Sequence, residues 1–138
     1  MLKGNGGNDT YVFQAGYGQE TIDNRGPYSW QPEHGQVAFG EGISTSRLWL
    51  EQSGNDLLID VLDSADRLTI GNWYSSDTSA KVTNLMTGDG ARLDAGLNQL
   101  VTAMAAFQAS NQGFNPTTAT TMPTDSALQA QLAAAWHR

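Results

Sequence analysis

Three acids stand among closely spaced glycines at the amino end of the chain: Asp9 follows Gly4, Gly6 and Gly7, and Glu20 and Asp23 follow Gly16 and Gly18. Carboxylates and backbone carbonyls are hard oxygen donors of the kind Ca2+ gathers, about six to eight at a time, and glycine lets successive carbonyls converge because no Cβ intervenes. The chemistry that this spacing suits is cation binding. Two plainer roles stay open. Asp9 could accept only from nearby backbone N–H groups in an Asx turn, and Glu20, with its longer side chain, could simply face solvent.

Catalytic chemistry finds little support in the same sequence. Cysteine is absent, and the two histidines, His34 and His137, stand in a Pro/Gly-rich loop beside Glu33 and one residue from the end. A general base needs a positioned partner, and His34 beside Glu33 reads as an exposed surface pair rather than half of a dyad. Asp60, Asp63 and Asp66 could imitate a glycosidase carboxylate pair, but Asp63 and Asp66 bracket an expected turn and are read as shaping it. We assign no catalytic residue and expect no enzyme activity from this chain. Tyr28 and Trp30, in the irregular stretch rich in Pro27 and Pro32, are the candidates for partner contact, whereas Trp49 and Trp73 are read as core.

Charge narrows the partners. Seven basic against fourteen acidic residues give a formal net charge of −7, which repels nucleic acid and anionic membrane surfaces. No apolar run reaches the roughly 18 residues of a membrane helix, and no basic segment leads into an apolar one at the start, so neither stable membrane insertion nor a cleavable leader is expected.

Three compositions divide the 138 residues. Residues 1–26 are glycine-rich, with a turn followed by a strand twice over: Gly4 to Phe13, then Gly16 to Asp23. Residues 27–94 form a β-rich capping region. From Gln36 the pattern has period two, with candidate strands at Val37–Phe39, Arg47–Gln52, Asp56–Leu62, Arg67–Trp73, Lys81–Met86 and Ala91–Leu93. Short polar joints such as Ser53-Gly54-Asn55-Asp56 suit antiparallel reversals, so a β-meander is the simplest topology. Leu48, Leu50, Leu57, Ile59, Val61, Leu68, Ile70 and Trp73 are expected to face inward. Residues 95–138 form a helical tail: Asp94 can cap a first helix whose apolar stripe runs Leu97, Leu100, Val101, Met104, Phe107, and Ser126 with Gln129 suggests a capping box for a second. So short a second helix needs docking or a partner to persist, and the last dozen residues are expected to fray. One compact domain overall is the expectation.

Gly4-Asn5-Gly6-Gly7-Asn8-Asp9-Thr10-Tyr11-Val12 resembles the nonapeptide G-G-x-G-x-D-x-U-x of calcium-binding RTX repeats, with Gly4, Gly7, Asp9 and Tyr11 on pattern and Asn5 in place of the second glycine. The order continues through Gly16–Asp23, Phe39-Gly40-Glu41-Gly42-Ile43-Ser44, Gly54–Ile59 and Asp66–Tyr74, and is similar to the haemolysin-type calcium-binding family and its associated C-terminal region. That resemblance implies a mainly β fold, the end of a parallel β-roll continued by a β-meander cap, with one or two C-terminal α-helices. It implies calcium as the cofactor. Asp9, with the Gly4 and Gly6 carbonyls, would supply the first ligands, and Glu20 and Asp23, with the Gly18 carbonyl, would close the site from the next turn. Asn24–Gly35 departs from the family's pattern, offering aromatics and prolines where another aspartate belongs, which puts a complete second site in doubt.

The function implied is a secreted, extracellular, noncatalytic module that couples calcium to folding and carries an uncleaved type I secretion signal in its tail. Its partners would be calcium ions, the upstream part of the same polypeptide and the type I secretion machinery. Two alternatives stay open: a calcium-stiffened adhesion or ligand-binding module, and the C-terminal appendage of a secreted enzyme or toxin. A start at Met1-Leu2-Lys3 directly ahead of a repeat suggests a piece of a longer chain.

Overall fold

A computed structural model describes residues 2–3, 10–14, 16–23, 35–64, 66–71, 73–74, 82–94, 96–116 and 118–137. The chain is mainly β, with two helices at its carboxyl end. Nine strands occur among the described residues: β1 (Leu2–Lys3), β2 (Thr10–Phe13), β3 (Gln19–Asp23), β4 (Gly35–Phe39), β5 (Leu48–Ser53), β6 (Asp56–Val61), β7 (Arg67–Ile70), β8 (Val82–Met86) and β9 (Arg92–Leu93). The helices are α1 (Leu97–Ser110) and α2 (Ser126–Ala135).

Two mixed sheets form, ordered β1-β3-β7-β6-β5 and β2-β4-β8-β9. The first four strands fall alternately into the two sheets. Each then lies parallel to a strand of a later passage: β1 with β3, β3 with β7, β2 with β4 and β4 with β8. Only β5, β6 and β7 form an antiparallel meander, and β9 turns back on β8. The expected meander from Gln36 to Leu93 is therefore too long. Gly35–Phe39 and Val82–Met86 pair in parallel in the second sheet, because a strand joined to its neighbour by a long excursion is free to return in the same direction.

Alternation fixes the interior. In β2, Tyr11 and Phe13 are buried while Thr10 and Val12 face out, and in register beside them stand Val37 and Phe39 of β4, also buried. Phe13 and Phe39 meet edge to face at 6.0 Å. From the first sheet Ile22, Leu57, Ile59, Leu68 and Ile70 are fully buried, as period-two patterning requires of a face packed on a core. All eight residues expected to face inward are buried, although Trp73 lies in a turn after β7 rather than in a strand. There Gly71 N–H already bonds the Ile22 carbonyl, and Tyr74 N–H the Asn55 carbonyl.

The β5–β6 hairpin closes through Gly54 and Asn55, with Ser53 opposite Asp56. Gly54 has φ +60°, the requirement at the first central position of a type II′ turn. Outward lies β5, the edge of the first sheet, and α1 packs on it, the cover that an exposed edge needs. The Leu50 N–H, which faces no further strand, donates to Met104 Sδ at 3.1 Å. Leu97, Leu100, Val101 and Met104 are buried, and Trp49 packs against Phe107 and Phe114 with centroids 5.9 and 4.6 Å away.

Both expected helix caps are displaced. α1 begins after Gly96 with no side-chain cap, and Asp94 instead bonds His137 Nε2 at 3.1 Å. In α2 it is Asp125, one residue before Ser126, whose carboxylate accepts from the Leu128 N–H at 3.0 Å, while Gln129 donates to the Pro123 carbonyl. A carboxylate at this position also faces the positive end of the helix dipole, which a hydroxyl does not exploit. The carboxyl end is tied down: Leu128, Leu132, Ala135 and Trp136 are buried, and His137 exchanges two backbone hydrogen bonds with Arg92 of β9.

Candidate functional site

Between β2 and β3 the chain turns through Gly16 and Gly18, with φ of +89° and +73°, a region that side chains with a Cβ avoid. This conformation points both N–H groups at one acceptor. The buried Asp66 carboxylate receives them, Gly16 N–H on Oδ2 and Gly18 N–H on Oδ1, each at 2.9 Å. The reverse bond, Arg67 N–H to the Gly18 carbonyl at 3.0 Å, completes a three-point clasp across 48 to 50 residues of sequence. Ser64 Oγ holds Asp66 in turn by accepting its N–H and donating to the Val61 carbonyl. Two turns far apart in sequence are thus joined by a carboxylate and glycine amides, a charge-assisted pairing about twice as strong as a neutral one.

Sequence reasoning read Asp66 as shaping its own turn and missed this long-range role. The signal was present. Asp66-Arg67-Leu68 repeats the acid, any residue, apolar order of Asp9-Thr10-Tyr11 and Glu20-Thr21-Ile22.

Of the residues read as metal ligands, Gly18, Glu20 and Asp23 are described. Gly18 belongs to the clasp. Glu20 is half-buried in β3, in register with Leu68, and Asp23 closes the same strand opposite Lys3. Gly4, Gly6 and Asp9 lie outside the described residues, as do Tyr28, Trp30 and His34. The donor chemistry of the Gly16–Glu20 stretch suits a hard cation, being carboxylate and carbonyl oxygen throughout. Among the described residues no three Asp, Glu, His or Cys side chains converge on one point, so these residues alone do not assemble a full coordination set.

A second polar cluster sits on the outer face of the first sheet. Asp60 is opposite Arg67 in the β6–β7 ladder and opposite Trp49 in the β5–β6 ladder. Arg67 Nε donates to Asp60 Oδ1 at 2.6 Å, with the Asp60 side chain 3% exposed. Glu51 stands diagonally across from Asp60, and its pKa is raised, first by burial and then by the Asp60 charge, with Arg67 acting in the opposite direction. Trp49 Nε1 donates to Gln108 Oε1 of α1 at 3.1 Å.

The chain is 32% identical over 73 residues to the iron-regulated protein FrpA of Neisseria meningitidis serogroup C, an RTX-family protein. The similarity is RTX-like. The match covers 51% of this chain and 6% of FrpA, so the chain corresponds to a small part of a much longer protein. No family model matches the chain. Among the described residues no helix is long and apolar enough to cross a membrane.

Proposed function

We propose that this chain is a noncatalytic, calcium-responsive module from the carboxyl-terminal part of a secreted RTX-type protein, comprising the closing turns of a parallel β-roll, a β-rich cap and a helical tail. The observation that carries the reading is the winding of β1 to β4, β7 and β8 alternately through two sheets with parallel neighbours, its turns built on positive-φ glycines and joined by an acid. A winding of this kind has little core per turn, so polar bridges between turns contribute a large share of its stability. The similarity to an RTX-family protein supports the same reading.

In this proposal Asp9, with the Gly4 and Gly6 carbonyls, holds calcium at the amino end, and Glu20, Asp23 and the Gly18 carbonyl contribute from the following turn. Bound calcium supplies positive charge and oxygen coordination that hold the turns together. The domain would act as a location switch, because extracellular modules bind at about 10⁻⁴ to 10⁻³ M, far above cytosolic calcium. At tenfold excess over the dissociation constant, one site adds about 1.4 kcal/mol. The tail, residues 95–138, carries the export signal for a type I system, and Tyr28 and Trp30 offer partner contact.

Calorimetry of the chain and of Asp9→Ala across a calcium series, with magnesium as control, tests the metal role. We expect the melting temperature of the parent to rise by about 5 °C per site and that of the variant to rise less. A parent melt that ignores calcium contradicts the proposal. Fusing residues 95–138 to an unrelated passenger tests the export role, and retention of the fusion inside cells with a working type I system contradicts it.

A further inference from the structure

Asp60 Oδ1 is taken by Arg67, but Oδ2 is buried and has no hydrogen-bond partner among the described residues. A charged carboxylate oxygen left that way is costly. The group placed to relieve it is Glu51, diagonal to Asp60 across β5 and β6 and within hydrogen-bonding reach of it. Two carboxylates in contact cannot both donate or both stay charged cheaply, and the single guanidinium of Arg67 balances only one of them.

We propose that Glu51 keeps its proton in the folded protein, that this proton latches β5 to β6 through Asp60 Oδ2, and that it is released as pH rises. With Glu51 protonated, its O–H donates to Asp60 Oδ2 and the buried charge falls to one carboxylate facing one guanidinium. Arg67 Nε donates to Asp60 Oδ1 from the other side, so the pair and the guanidinium link β5, β6 and β7, while Gln108 of α1, which accepts from Trp49 Nε1, favours the charged form of Glu51. The titratable groups facing Glu51 are Asp60 of β6 and Arg67 of β7, and α1 contributes Gln108 and no charged side chain. A groove lined by Glu51, Gln52, Gly54, Val101, Thr102, Ala105 and Gln108 gives the proton a route to water.

The direction of the pH dependence follows from the raised Glu51 value. The folded state binds this proton more tightly than the unfolded chain does, so its contribution is complete below the ordinary value near 4.5 and is lost as pH climbs through the folded value.

Two measurements test the latch, the carbon-13 shift of the Glu51 carboxyl and the melting temperature of the parent and Glu51→Gln, both from about pH 4 to about pH 8. Glutamine keeps a donor toward Asp60 without a charge. We expect Glu51 to titrate above the ordinary glutamate range, and the parent to lose about 5 °C relative to Glu51→Gln for each unit of that displacement. Titration of Glu51 in the ordinary range, or melting curves that run parallel across the series, overturns the proposal. If Glu51→Gln does not fold, the carboxyl titration of the parent decides alone.

Discussion

The Gly16–Gly18 turn with Asp66 and the β5–β6 hairpin with its helix solve one problem, the pairing of distant backbone, by opposite means. The first has few apolar neighbours: Tyr17 is half exposed, and what joins the turns is a carboxylate on two glycine amides. The second buries Leu48, Trp49, Leu50, Leu57 and Ile59 completely and is covered by a helix. Hydrophobic burial is indifferent to ions, whereas a bridge of charges and dipoles responds to any cation that competes for it. On the proposed function, the molecule joins a calcium-responsive end to an ion-indifferent one.

Substitutions should separate the two ends by size and by calcium dependence. The largest loss is expected at Trp49→Ala, about 3–5 kcal/mol, since a fully buried ring packed on Phe107 and Phe114 leaves a cavity. Denaturant unfolding should give the same loss with and without calcium. Next comes Asp66→Ala, which strands the Gly16 and Gly18 amides and costs about 2–3 kcal/mol. Smaller again is Gly88→Ala, about 1–3 kcal/mol, because a Cβ there would lie 2.3 Å from the Gly40 carbonyl oxygen where two turns stack. Removing calcium from the parent should cost least, about 1.4 kcal/mol per site. A calcium-dependent loss at Trp49 would break the comparison.

What was legible in the sequence follows the same division. The inward residues of β5, β6 and β7 could be read because alternation is a local signal and the hairpin closes through adjacent residues. Pairing of β3 with β7 could not, since Gln19 and Arg67 become neighbours only after β4 and a whole hairpin have intervened. The same distance hid the clasp on Asp66. Both helices were legible from their apolar stripes, but the first starts only at Leu97, and Asp94 was taken for its cap when its carboxylate had a better partner in His137, brought to it by the docking of α2. Asp60 gave a readable hint, an acid within the apolar run Leu57–Val61, yet its partners Arg67 and Glu51 come from two other strands.

Hydrogen exchange on the intact chain, with calcium and with chelator, tests most directly whether calcium belongs to the glycine turns. We predict that calcium slows exchange across residues 1–26, including the Gly16 and Gly18 amides, and leaves β5, β6 and α1 unchanged. Equal exchange in the turns under both conditions would contradict the account.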